Sequence, residues 1–352
     1  MAEISSFFQG LPMVLNLLLF GIFAVVIWMT GTRLSYLVDA LAEQTKIARA
    51  LMGLGVLAII TELPEMVTTI TASLAGNAEL ALNNMFGGIS MQTAILAVAD
   101  MFVLQAALTS FPRKPTPVIE GLFIILMLAG LLIVSMTGDV ELIGGVGVAS
   151  ILLAGLYLLS IFIIQRFVTR DVWNPVDLPN PEVEEGAGRD NRYDKLPFHS
   201  FGLAIALAAG IILVVGVLLT HTADVLAEQT GLGSSFIGVT LLAATTSLPE
   251  LSTSIAAVRI RSYTMAISNI LGSNLIMVFL ILPADIFYSE GPILDRIDAS
   301  AAFALGTGIV VSAIYCLGLL IRHHRKMFRM GLDSILVLLV YLASLVVFYH
   351  LR

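Results

Sequence analysis

The sequence predicts an all-α membrane protein of ten transmembrane helices, arranged as two inverted five-helix repeats. Three observations carry this: long apolar runs, basic residues confined to one set of loops, and a gapless internal duplication. The 352-residue chain is 58% hydrophobic and only 12% charged, with a mean hydropathy of +0.97. A soluble domain carries about a quarter charged residues, so the main solvent of this chain is lipid. Crossing the hydrocarbon takes roughly 20 apolar residues in a helix.

Ten runs meet that need in order. Residues 12–30 open the series; with no basic segment before them and too long an apolar stretch, they are not read as a cleavable signal peptide. Residues 48–75 hold Glu62, Pro64 and Glu65 amid apolar neighbours, and 79–108 hold Asn84. Residues 117–136 and 142–165 are almost purely apolar. Then come 199–219, 232–258 with Thr246, Pro249 and Glu250, 263–288 with Asn269, 299–321 with the single cysteine, Cys316, and 331–349. One cysteine permits no disulfide framework.

Sixteen of the 18 basic residues fall in one alternate set of loops, leaving only Arg296 and Arg352 in the other. The positive-inside rule then puts both termini outside the cytoplasm of the cell's limiting membrane, the inner membrane in a bacterium. Residues 170–197 are rich in Pro, Gly and charge, and read as a cytoplasmic linker between a first half, 1–169, and a second, 198–352. The basic residues form no aromatic-interleaved patch of the kind that binds nucleic acid.

"DALAEQT" at 39–45 recurs as "DVLAEQT" at 224–230, an offset of 185. The same offset matches Gly53 with Gly238, Thr61 with Thr246, and Leu63-Pro64-Glu65 with Leu248-Pro249-Glu250. It continues through Thr68 and Thr253, Asn84 and Asn269, Gly87 and Gly272, and Asp100 and Asp285. Five spans per half make the copies opposite in orientation, and inverted repeats place a substrate site near the bilayer midplane.

Carboxylates at midspan are costly and mark function. Proline inside a helix leaves the carbonyl four residues earlier without its donor, here those of Ile60 and Thr245, with the carbonyls of Thr61 and Thr246 alongside. Thr61 and Glu65, like Thr246 and Glu250, are four apart and share a helix face. Two inverted copies thus offer two carboxylates, freed carbonyls and hydroxyls, a hard-oxygen set suited to Ca2+. Without a cation the two carboxylates repel, and one takes up a proton. Asn84 and Asn269 are either ligands or hydrogen-bonding glue between helices. Thr68, Thr69, Thr253 and Ser254 serve packing or a pathway, Asp100 and Asp285 lie near the interface, and Asp39 and Asp224 belong to loop or interfacial structure.

"TTSLPELSTSIAA" followed by "AISNILGSN" resembles the second alpha-repeat of the sodium/calcium exchanger branch of the calcium/cation antiporters, and the first half resembles the first repeat. The resemblance covers nearly the whole chain. It implies Glu65 and Glu250 as the main Ca2+ ligands, with Thr61, Thr246 and Ser247 adding carbonyl and hydroxyl oxygens, and Asn84 and Asn269 ligating from the following helices. The sequence departs from that pattern at three places. Glu62 stands where the family usually has Ser, Gly88 and Ile89 stand where it has Ser-Asn, and Ser268 stands where it has Gly. Three carboxylates overbalance one Ca2+, so Glu62 either carries a proton, adds a Na+ site or faces water.

The expected function is secondary-active Na+/Ca2+ antiport by alternating access, without a cofactor, Ca2+ and Na+ being cargo. The alternative is H+/Ca2+ or Na+/H+ exchange through Glu62. A cation channel fits less well, since channels use rings of oxygens in oligomers. No zinc spacing, nucleophile elbow or phosphate loop supports an enzyme.

Overall fold

Burial sorts the helices into a polar-cored centre and an oily rim. The computed structural model describes residues 2–168, 193, 197–229, 244 and 246–350. The rest of the predicted linker, 170–197, and the start of the seventh predicted span, 232–243, lie outside the described residues, as does the side chain of Asp224.

The helices are α1 (Ala2–Gln9), α2 (Met13–Thr45), α3 (Arg49–Thr61), α4 (Leu63–Leu74), α5 (Ala78–Asp100), α6 (Thr116–Thr137) and α7 (Val148–Val168). They continue as α8 (Phe198–Gln229), α9 (Leu248–Arg259), α10 (Tyr263–Phe279), α11 (Ile281–Phe287), α12 (Ala299–Ile321) and α13 (Leu332–His350). A two-stranded hairpin, β1 (Lys326–Met327) and β2 (Met330–Gly331), joins the last two. Mostly helical and apolar, the chain is a multi-pass membrane protein. Among the described residues, six helical segments are long and apolar enough to cross a bilayer: α2, α6, α7, the first 26 residues of α8, α10 with α11, and α12. The pair α3–α4 makes a seventh, bent by 50° at Glu62.

Four of the sequence-predicted boundaries move, among them that of the sixth run, which ends at 219 while α8 stays helical to Gln229. The first apolar run ends near residue 30, yet α2 continues for 33 residues, about 50 Å at the α-helical rise. Its last turns are the "DALAEQT" segment, read from sequence as loop or interface and here helical. Asp39 is buried there, accepting hydrogen bonds from Arg49 Nε at 2.8 Å and from Ser262, so a polar residue continues the helix by gaining partners. The third span stops at Asp100 rather than 108, because Asp100 Oδ1 accepts the Leu108 N–H at 2.7 Å and folds the chain into a turn. The fifth starts at Val148, after Gly144 and Gly145, both at positive φ.

Every residue of α10 from Tyr263 to Val278 is buried, and most of α5 is buried too. These two form the centre, packed against each other, with α3, α6 and α9 around α10 and with α12 and α13 against α5. At the rim, α2 and α8 pack together and expose Val14, Leu18, Ile22, Val25, Leu203 and Val214 as a lipid-facing surface. Close backbone approach positions the centre: a Cβ at Gly272 would lie 2.7 Å from Leu54 Cα in the π-turn of α3, Gly53–Leu57. Single π-turns recur at functional sites.

Gly31 of α2 and Gly216 of α8 are related by the offset of 185, and each meets the broken helix of the other half. A Cβ at Gly216 would sit 2.6 Å from Pro64 Cγ, and one at Gly31 3.4 Å from the Pro249 carbonyl oxygen. A second reciprocal pair lies at the ends of α5 and α11. Asp100 accepts the Leu108 and Gly331 N–H groups at 2.7 and 2.6 Å, while Asp285 accepts those of Ile293 and Gly147 at 2.7 and 2.8 Å. Each aspartate therefore caps the start of the last helix in the opposite half. Both are fully buried, and Lys326 adds an ion pair to Asp100 at 3.2 Å.

Candidate cation site

The two helix joints have one backbone geometry. Glu62 has φ −77° and ψ −5°, and Ser247, its counterpart, φ −82° and ψ 7°. Their carbonyls accept the N–H groups of Met66 at 2.9 Å and Leu251 at 3.0 Å, starting α4 and α9 with proline in the first turn. Proline fits there because a first-turn residue needs no intrahelical donor. The same turn carries Glu65 in α4 and Glu250 in α9, where the helix dipole favours negative charge.

The threonines pair across the halves. The Thr61 hydroxyl, which donates to the Leu57 carbonyl at 3.1 Å, lies beside Glu250, and Thr246 lies beside Glu65. The sequence spacing puts each threonine near the glutamate of its own half; the packing of the halves also brings each beside the glutamate of the other. Glu65 and Glu250 are 1% and 0% exposed, and none of their four carboxylate oxygens meets a donor with hydrogen-bond geometry among the described residues. Buried acceptors without donors fit a cation. Among the described residues no three His, Cys, Asp or Glu side chains make a metal cluster by themselves, so hydroxyl, amide or carbonyl oxygens must complete a ligand set.

Glu62 is 0% exposed, which removes the water-facing option. Its Oε1 accepts from Gln92 Nε2 of α5 at 2.5 Å, and Ser273 of α10 lies beside it. Gln92 and Ser273 thus join the site, although neither was singled out from sequence. The counterpart of Gln92 is Met277, whose Cε would lie 2.7 Å from a Cβ at Gly88, so in the second half a thioether fills the equivalent space.

Ser247 is buried at its joint. Asn269 is buried with Nδ2 donating to Thr253 Oγ1 at 3.1 Å, and Oδ1 has no partner among the described residues. Asn84 is 8% exposed and its Nδ2 has no such partner.

The profile of the sodium/calcium exchanger protein family matches residues 15–165 and 199–350. The inner membrane protein YrbG of Escherichia coli is 27% identical over 301 residues, 86% of this chain and 87% of that one. The sodium/calcium exchanger MaX1 of Methanosarcina acetivorans is 31% identical over 126 residues, 36% of this chain and 34% of that one. A solved structure of the sodium-calcium exchanger NCX_Mj superposes with a TM-score of 0.67 at 18% identity, covering 95% of this chain and 99% of that one. With two matching halves around a buried, donor-poor set of carboxylates, the chain belongs to the sodium/calcium exchanger family and is a membrane transporter rather than an enzyme.

Proposed function

We propose that this protein exchanges Na+ for Ca2+ across the cell's limiting membrane, by alternating access at the site between its halves. The observation that carries the reading is a pair of fully buried carboxylates, Glu65 from one half and Glu250 from the other, whose oxygens meet no hydrogen-bond donor among the described residues. Two carboxylates balance a divalent cation, and only one ion set occupies the shared oxygens at a time, which makes the exchange obligatory. Glu65 and Glu250 are its main ligands, with oxygens from Thr61, Thr246, Ser247, Asn84, Asn269 and Glu62 around them. The same reading has ten spans in two inverted halves, 1–169 and 198–352, joined by a cytoplasmic linker at 170–197, with both termini outside.

A second reading, H+ in place of Na+, is favoured by one observation: Glu62 is a third buried carboxylate tied to Gln92. Three negative charges exceed one Ca2+, and a proton or a Na+ on Glu62 restores neutrality. Calcium uptake into proteoliposomes, driven separately by a Na+ gradient and by a pH gradient, separates the two. Uptake with Na+ alone supports the first reading, uptake with the pH gradient alone the second, and uptake with neither rejects both. In Glu62→Ser, which makes the halves alike at this position, a pH profile of Na+-driven flux flatter than that of the unaltered protein assigns the pH-sensitive step to Glu62.

A further inference from the structure

We propose that the β1–β2 hairpin binds the headgroups of anionic phospholipids in the bilayer that the protein spans, with Arg325 and Arg329 on the phosphates and Phe328 at the acyl boundary. The chain enters the hairpin from Ile321, the exposed end of α12, a helix long and apolar enough to cross, and leaves it at the exposed Leu332 of α13. Residues 322–331 hold four Arg or Lys, two His and no acid, in a chain whose formal net charge is −7. A concentration of positive charge beside a membrane complements anionic headgroups.

Two of these cations tie the hairpin down. Lys326 donates to the carbonyls of Asp100 and Val103 at 2.7 and 2.8 Å, besides its ion pair with the Asp100 carboxylate. Arg322 donates to the Pro112 carbonyl at 2.7 Å and to that of Ser110. The other two point away. Arg325 and Arg329 are exposed, and neither makes a hydrogen bond or ion pair among the described residues. Between them Phe328 is 83% exposed.

The turn sets this segment apart from an ordinary solvated loop. Met327 pairs with Met330, so Phe328 and Arg329 form a two-residue turn, and both lie at positive φ, 53° and 68°. That is a type I′ turn, whose positions favour Asn, Asp and Gly. A bulky aromatic residue at positive φ is an outlier, and such strain persists where function requires it. An exposed phenyl ring gains nothing from water, whereas aromatic rings settle at the headgroup level of a membrane. Lipid is also within reach. Strands of two residues extend the tip by only about 7 Å, at roughly 3.3 Å per residue, from roots lined by the exposed Leu320, Ile321 and Leu332.

The test uses the full chain in nanodiscs, with Trp28→Phe and Trp173→Phe as background and Phe328→Trp as reporter. Adding phosphatidylglycerol to phosphatidylcholine shifts the reporter emission to the blue, and phosphatidylglycerol with brominated acyl chains quenches it. Arg325→Gln and Arg329→Gln each raise the phosphatidylglycerol fraction at half-shift by roughly fivefold, the worth of one basic residue near an anionic surface. Together they abolish the shift. Glycerol phosphate added to phosphatidylcholine discs leaves the emission unchanged, which assigns the site to lipid rather than to free phosphate. A shift with glycerol phosphate alone, a shift that survives in the double variant, or emission independent of phosphatidylglycerol overturns the proposal, the last by leaving the tip to water or to a soluble protein. Phe328→Asn with Arg329→Gly, in the otherwise unaltered chain, supplies a second measurement. It relaxes the turn, so its melting temperature in phosphatidylcholine rises, while the stabilisation that phosphatidylglycerol gives the unaltered protein is lost. Equal responses of the two proteins to phosphatidylglycerol overturn the proposal as well. Neither readout depends on Ca2+ flux, so the result stands apart from the exchange reading.

Discussion

At the scale of single residues the site is a set of buried acceptors, and its chemistry follows from what each can and cannot donate. Glu65 and Glu250 each bring one negative charge to oxygens that no described donor satisfies. Glu65→Gln and Glu250→Gln keep the shape, halve that charge, and place an amide N–H where a cation would sit. Each is expected to abolish Ca2+ exchange in a protein that still inserts and purifies normally; near-normal half-saturation and turnover in either variant would sink the assignment. These two were legible because the duplication prints the motif twice. Gln92 was not, for the same reason: its counterpart is Met277, so a search for matched polar residues passes over it. Duplication reveals what the halves share and hides what only one of them has.

At the scale of helices, apolar length located most segments and misjudged their ends. The end of α2 stays helical because Asp39 finds Arg49 and Ser262, and long-range partners of that kind leave no trace in hydropathy. The bend between α3 and α4 was legible in Pro64; the approach of each threonine to the glutamate of the other half was not, since it depends on how the two halves meet. Their neighbours at the rim are as demanding. A side chain at Gly216 would drive into the Pro64 ring, whose position sets the first turn of α4. Gly216→Val is therefore expected to cost about 1–3 kcal/mol of stability, the usual penalty for overpacking. A lowered detergent melting temperature together with reduced Ca2+ flux would show it, whereas Gly210→Val, with open space at its Cβ, should change neither. Equal melting temperatures for the two variants would mean that this contact yields freely.

At the scale of the whole molecule, orientation rests on charge. Sixteen basic residues on one set of loops, against two on the other, are the ground for proposing that residues 186–194 face the cytoplasm. With Cys316→Ala as background, Gly188→Cys in intact cells should resist a membrane-impermeant thiol reagent and react once the membrane is opened. Labelling from outside would invert the arrangement. The fold class was legible here because lipid imposes it: backbone polar groups in hydrocarbon must be satisfied within the helices. The packing of the centre was not, because α5 and α10 are nearly all buried, and a helix buried all round has no polar face from which to read its neighbours.

The reciprocal caps at Asp100 and Asp285 carry a consequence for how such a chain could arise. Contacts in which a feature of one copy grips the other copy, and the same feature of the second grips the first, are the signature of a two-fold homodimer. The donors follow the rule closely: Gly331 lies one residue short of the position that the offset of 185 assigns to Gly147's counterpart, residue 332. On the proposed inverted topology, two identical half-length chains inserted in opposite senses would already possess both caps. Joining their genes would then have preserved an interface rather than created one, and freed each copy to lose what its partner kept. Glu62 with Gln92 within the first half, and Glu120 of the first half with Ser268 of the second, are what two copies can become once they no longer share a sequence.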